Sequence, residues 1–138
     1  MLEVELRGDP PRGDPTLDEI AYLCELAAAS GGVFDGHLAI AFVDEQEIAA
    51  LNDQHRGREG ATDVLSFPID GAERAHGPRE LGDVVICPQR TADIREAVLH
   101  GVLHLLGMDH ERDEGEMLVL QAELLRWGAE DRARGLKR

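Results

Sequence analysis

Three histidines fall within the eleven-residue segment HGVLHLLGMDH, at positions 100, 104 and 110. Residues four apart on an α-helix lie one turn from each other, so His100 and His104 are predicted to share one face. Two imidazoles in that register can reach one metal ion at about 2.0–2.1 Å from each nitrogen. Gly107 allows the chain to turn out of the helix, and we expect His110 to approach the same ion from outside it.

Three histidine ligands with an open fourth position are typical of a catalytic zinc site rather than a closed structural one. The segment therefore predicts one Zn²⁺ per chain, held by His100, His104 and His110. The other histidines, at positions 37, 55 and 76, have no partner at ligand spacing. They are predicted to be surface or structural residues.

The residue after the first histidine is Gly101, where zinc peptidases with an HExxH helix carry a glutamate as general base. Glycine can neither accept nor donate a proton. On the helical wheel Gly101 falls on the broad apolar stripe with Ala97, Val98 and Leu105, which indicates close packing of the helix. The histidine spacing still matches the metzincin proteases, so a metalloprotease remains an alternative at this point.

The elements that must position these residues follow the order β-α-β-α-β-β-α-α. Strands are predicted over 2–7, 37–43, 63–69 and 83–88, and helices over about 16–29, 44–54, 92–106 and 113–127. Three capping boxes predict helix starts: Thr16/Glu19, Asp44/Glu47 and Asp113/Glu116. Two glycine sites, Gly31-Gly32 and Gly128, are predicted to end helices. Pro68 confines the third strand to an edge or an end, and 70–80 reads as a mobile loop. The prediction is an α+β fold with a single four-stranded sheet packed with helices, the zinc site lying on a buried helix and the turn after it.

Composition narrows the class of protein. The 138 residues are 43% hydrophobic, which favours a single globular domain that spans residues 1–138. No run of 18 apolar residues occurs and the N-terminus has no signal-like region, so a cytoplasmic protein is expected. Cys24 and Cys87 are predicted to be buried free thiols. A net charge of −14 argues against a non-specific nucleic-acid coat.

Three blocks of the sequence resemble one family. HGVLHLLGMDH is similar to the HGxLHLxGYDH signature of the YbeY family of bacterial rRNA maturation factors. LNDQHRGREGATDVLSFP (51–68) resembles the family's LN-x-x-YR…TDVLSFP block, and LGDVVIC (81–87) resembles its LGD-[IL]-x-I strand. The chain departs from the pattern at His55 and Met108, where tyrosine is usual, and in a shorter segment over 88–100. None of these changes removes a ligand.

The resemblance implies a zinc-dependent, single-strand-specific endoribonuclease that acts in 16S rRNA 3′-end maturation and ribosome quality control. The family's zinc ligands map onto His100, His104 and His110, and its conserved arginine maps onto Arg56. The implied partners are single-stranded RNA, rRNA, and the ribosome or its small-subunit proteins. Neither DNA nor a membrane is an expected partner.

The residue types agree with phosphodiester chemistry. A phosphodiester develops negative charge on its oxygens, which zinc and an arginine fork can stabilise. The presence of Arg56 and the absence of a glutamate at position 101 therefore favour phosphodiester hydrolysis over peptide hydrolysis. The general base stays open between zinc-bound hydroxide and the carboxylates Asp63, Asp109 and Glu111. Ser66 is either a substrate contact or a buried structural hydroxyl.

The charge around the site constrains how RNA binds. Residues 93–131 hold ten carboxylates and three arginines, a surface that should repel free RNA. Binding is therefore expected to depend on a narrow patch (Arg56, Arg58 and the basic tail) or on a ribosomal partner. A non-catalytic ribosome-associated factor with a structural zinc is the third alternative.

Overall fold

The structure is a computed structural model that describes residues 2–56, 63–70, 79–109 and 112–135, without the side chains of residues 55 and 56. Its strands are β1 (Leu2–Gly8), β2 (Gly36–Phe42), β3 (Val64–Pro68) and β4 (Glu80–Ile86). Its α-helices are α1 (Leu17–Ser30), α2 (Glu45–Arg56), α3 (Ile94–Leu105) and α4 (Glu116–Ala133), and a 3₁₀ turn over Pro88–Arg90 precedes α3. This order of strands and helices confirms the predicted α+β class.

The four strands form one mixed sheet in the order β1-β2-β4-β3. β1 and β4 each pair with β2 in parallel, while β3 runs antiparallel to β4. β3 is an edge strand that ends at Pro68, as predicted, because proline cannot donate a ladder hydrogen bond. β4 is consequently central, and α3 packs across β3 and β4.

The sheet separates two apolar clusters. The larger cluster joins one sheet face to α1, α3 and α4 through residues such as Ile20, Ile40, Val84 and Leu99. The smaller one joins the other face to α2 through Ile48, Leu65, Val85 and Cys87. Both cysteines are buried free thiols, in agreement with the sequence prediction. No helix in the described part of the chain has the length and apolar character needed to cross a membrane.

The start of α1 confirms only half of the predicted capping box. The Thr16 hydroxyl accepts a hydrogen bond from the Glu19 backbone N–H at 3.1 Å. The Glu19 side chain is 2% exposed and accepts instead from Arg95 of α3 and Arg132 of α4. Burial acts to raise the pKa of Glu19, but the two arginines outweigh it and hold the pKa below its ordinary value. Leu17, the first residue of α1, has a 48% exposed side chain and lies outside the buried stripe of the helix.

The predicted bounds of α4 are also wrong at both ends. Gly115 is the N-cap, and the Asp113 carboxylate accepts from the backbone N–H groups of Gly115 and Met117. Gly128 does not end the helix but lies buried within it. A Cβ at Gly128 would stand 3.1 Å from Leu23 Cδ2, so this glycine permits close packing of α4 on α1.

Candidate active site

α3 carries the first two histidines through the protein interior. Asp93 caps the helix by accepting from the Glu96 backbone N–H at 3.2 Å. From Ala97 to Leu105 most of its side chains are buried, as the apolar wheel predicted. The two histidines are half-buried, so the helix presents a narrow polar lane beside an apolar core.

His100 and His104 converge. Their Nε2 atoms lie 3.1 Å apart, with ring centroids 4.6 Å apart and ring planes at 77°. Two nitrogens that each lie about 2.05 Å from a tetrahedral zinc are separated by about 3.3 Å. The observed separation is close to that value, so this pair of donors fits a tetrahedral metal ion with little movement.

Gln121 of α4 joins the pair from the side. Its Oε1 lies 2.7 Å from Nδ1 of His100, and the residue is 8% exposed. Sequence reasoning missed this contact. One signal was present: Gln121 is a polar residue on the stripe of α4 that also carries Met117 and Leu124.

The end of α3 has the turn that the sequence predicts. Gly107 has a φ of +96°, and its N–H donates to His104 O while the Met108 N–H donates to Leu103 O. This pair of bonds is a Schellman motif, which reverses the chain direction at a glycine. The turn follows His104 directly, where a loop ligand would have to enter.

Two predicted site residues fall outside the described structure. His110 lies in the gap between 109 and 112, and Arg56 is the last residue of α2 but its side chain is not described. Among the described residues no group of three histidine, cysteine or acidic side chains could hold a metal. The three-histidine ligand set and the role of Arg56 therefore stay predictions.

Gly101 sits where α3 touches the sheet. A Cβ there would stand 2.4 Å from Val84 Cγ1 on β4. The Ser66 hydroxyl of β3 donates to the Gly101 carbonyl at 3.0 Å, which supports the structural alternative for Ser66. The position that carries glutamate in HExxH helices is thus occupied by a helix–sheet contact, with no room for a side chain.

A cleft of about 230 Å³ opens beside His100. Its lining is mostly acidic and polar, with Leu118 on its wall (Asp63, Asp93, Glu96, His100, Gln121, Leu118). Of the three carboxylates considered as base, Asp63 lines this cleft. Asp109 pairs with Arg112 at 3.4 Å, and Glu111 lies outside the described residues. A larger depression of about 780 Å³ lies over the ends of β1 and β2 and shares no lining residue with the cleft.

The fold and site define an α+β protein whose buried helix carries two convergent imidazoles, one of which, that of His100, lines an acidic cleft. Residues 17–127 match the family model described as Endoribonuclease YbeY. A protein of that name from Macrococcus caseolyticus is 38% identical, over 91% of this chain and 94% of its own. Another from Pseudomonas putida is 37% identical, over 91% and 88%. This chain belongs to the YbeY family, as its three sequence blocks predicted.

A solved structure agrees with the fold. The solution structure of a Thermotoga maritima protein aligns with a TM-score of 0.59 and 26% identity, covering 95% of this chain and 93% of that one. The similarity therefore extends along almost the whole chain.

Proposed function

We propose that this chain, as one domain, is a zinc-dependent, single-strand-specific endoribonuclease that acts in 16S rRNA 3′-end maturation and ribosome quality control. The observation that carries the proposal is the facing pair of Nε2 atoms of His100 and His104, 3.1 Å apart on a buried helix. Membership of a family named for endoribonuclease activity supplies the class of reaction.

His100, His104 and His110 would hold the zinc ion. When bound, zinc supplies a Lewis acid for a phosphoryl oxygen and lowers the pKa of a bound water to about 7. Arg56, at the carboxyl end of α2, binds the scissile phosphate through two N–H groups and stabilises the charge that develops there. Gly101 contributes no proton transfer, and this disfavours peptide hydrolysis.

Asp63 is the carboxylate that we assign as general base. It lines the same cleft as His100, whereas Asp109 is not among the described residues that line it. From the cleft wall, its carboxylate can accept a proton from an attacking water. Asp63→Asn should therefore lower kcat while zinc content is unchanged.

The acidic lining of the cleft calls for a partner that helps to bind the RNA. Asp63, Asp93 and Glu96 line it, and such walls repel the phosphates of free RNA. A ribosome or a small-subunit protein would present the strand and offset this repulsion. An rRNA substrate in turn places the enzyme in the cytoplasm.

Paired digests with single-stranded RNA and casein test the proposal. Wild type should cleave the RNA slowly, stop when a chelator is added and recover with zinc, while casein stays intact. His104→Ala should lose both zinc and RNA cleavage, because two remaining imidazoles hold the ion too weakly. His37→Ala is the matched control, since His37 bonds to Glu5 and Glu80 on the sheet.

Each outcome separates the alternatives. Equal RNA cleavage by wild type and His104→Ala would attribute the activity to a contaminating nuclease. Casein cleavage by wild type but not by His104→Ala would indicate a metalloprotease. Stoichiometric zinc with no cleavage of RNA, even on ribosomal particles, would indicate a non-catalytic factor.

A further inference from the structure

The contact between Gln121 and His100 joins α4 to α3 at the cleft. We infer that Gln121 is a positioning residue: it holds His100 as the Nδ1–H tautomer, which keeps the Nε2 lone pair directed at the metal position. The inference rests on the proposed function, because it takes His100 as a metal ligand.

The chemistry of the bond decides the tautomer. The amide of Gln121 is oriented with Oε1 2.7 Å from Nδ1 of His100. A carboxamide oxygen has no proton to donate, so in this orientation Nδ1 carries the proton. A neutral imidazole with its proton on Nδ1 has its lone pair on Nε2. That nitrogen of His100 is the one that faces His104 at 3.1 Å.

Gln121 is a buried polar side chain between two fully buried apolar neighbours on α4. It is 8% exposed, while Met117 and Leu124 on the same stripe are 0% and 1% exposed. A polar side chain among such neighbours is costly unless it is hydrogen-bonded. An apolar residue at this position could not accept a hydrogen bond from the imidazole and so could not orient it.

α4 is held firmly enough to orient a ring. Asp113 accepts from two backbone N–H groups at its first turn. Near its other end Arg132 donates to Glu19, which also accepts from Arg95 of α3. Because α4 is anchored on both sides of Gln121, the acceptor is preorganised relative to His100.

Gln121 is uncharged, which matters for the binding of an anionic substrate in the cleft. Metal-bound histidines often donate to carboxylates, which raise the basicity of the ligand. A carboxylate here would add a further negative charge to a cleft already lined by Asp63, Asp93 and Glu96. Gln121 orients His100 without increasing repulsion of an anionic substrate.

Three variants test the inference, with zinc competition against a chromophoric chelator and ¹⁵N NMR of His100 in the metal-free protein. Gln121→Met keeps the volume and removes the acceptor, so zinc affinity should fall 10- to 100-fold and the tautomer should become mixed. Gln121→Glu keeps the acceptor, so zinc should bind at least as tightly while KM for single-stranded RNA rises. Gln46→Met makes the same chemical change at an exposed site on α2 and should alter nothing.

The failures are distinguishable. Wild-type zinc affinity and a wild-type tautomer in Gln121→Met would overturn the positioning role and leave the zinc nuclease in place. Loss of zinc in Gln121→Glu as severe as in Gln121→Met would also overturn it, because the acceptor is retained there. A wild-type chain that binds no zinc would refute the metal site itself, and the positioning role with it.

Discussion

Gly101→Ala tests whether the contact between α3 and the sheet sets the position of the histidines. The added methyl would lie 2.4 Å from Cγ1, 3.1 Å from Cγ2 and 3.3 Å from Cβ of Val84. Optimal carbon–carbon contact is about 3.5–4.0 Å, so the closest pair overlaps by more than 1 Å. Val84 is fully buried on β4, which pairs with β2 on one side and β3 on the other, so neither element can move aside freely.

Two effects of opposite sign set the size of the change. Overpacking a well-packed core costs about 1–3 kcal/mol, and the depth of this overlap places it at the upper end. Replacing glycine by alanine inside a helix returns about 1 kcal/mol. The net expectation is a loss of about 2 kcal/mol, which for a domain of this size lowers Tm by about 6–8 °C.

Urea denaturation followed by circular dichroism measures this loss as a shift of the midpoint. The double variant Gly101→Ala/Val84→Ala removes the obstructing methyl groups. It should be more stable than the sum of the single changes by about 3 kcal/mol, which is the whole overpacking cost. Zinc affinity should fall in Gly101→Ala, because α3 carries His100 away from Gln121, and should recover in the double variant.

The opposite result would refute the reasoning. If Gly101→Ala is as stable as wild type or more stable, the helix has room for a methyl group at this point. Gly101 would then have no packing role. If the two substitutions are simply additive, Val84 is not the obstacle. In either case the missing glutamate would need another explanation than the contact with β4.

Three further predictions concern the turn, the buried ion pair and the arginine. Gly107→Ala should lower the free energy of unfolding by about 1–2 kcal/mol, because residue 107 has a positive φ, and it should weaken zinc binding. Gly32, with φ +79°, lies in the same motif after α1 and serves as the control. Gly32→Ala should cost as much stability and leave zinc binding unchanged. Glu19→Gln should destabilise the fold by about 2–4 kcal/mol at neutral pH. Because the folded-state pKa of Glu19 is lowered, the stability difference between wild type and Glu19→Gln should have its full size above about pH 4.3 and should shrink as the pH falls through the folded-state pKa. Urea midpoints measured at a series of pH values would report this difference. Arg56→Glu should retain zinc and fold but should not restore rRNA 3′-end processing in a strain that lacks the family member. Arg12 is an exposed loop arginine, and Arg12→Glu should restore the processing. Normal processing with Arg56→Glu would remove that residue from the site.

The sequence alone determined the features that depend on local spacing. The four-residue interval places His100 and His104 on one helical face, and a glycine after the helix end permits the positive φ at 107. Thr16 starts α1 and Pro68 ends an edge strand for equally local reasons. The family, too, was recognisable from three short blocks.

Tertiary structure alone decided what depends on contacts between distant segments. The sheet order β1-β2-β4-β3 and the parallel pairing of β2 with β4 bring together strands separated by a helix and another strand, which no local interval encodes. Glu19 leaves its predicted cap for Arg95 and Arg132 because a buried carboxylate needs cationic partners, and these come from two other helices. Gln121 reaches His100 across 21 positions of the sequence for a similar reason: a buried polar side chain takes the partner that packing provides.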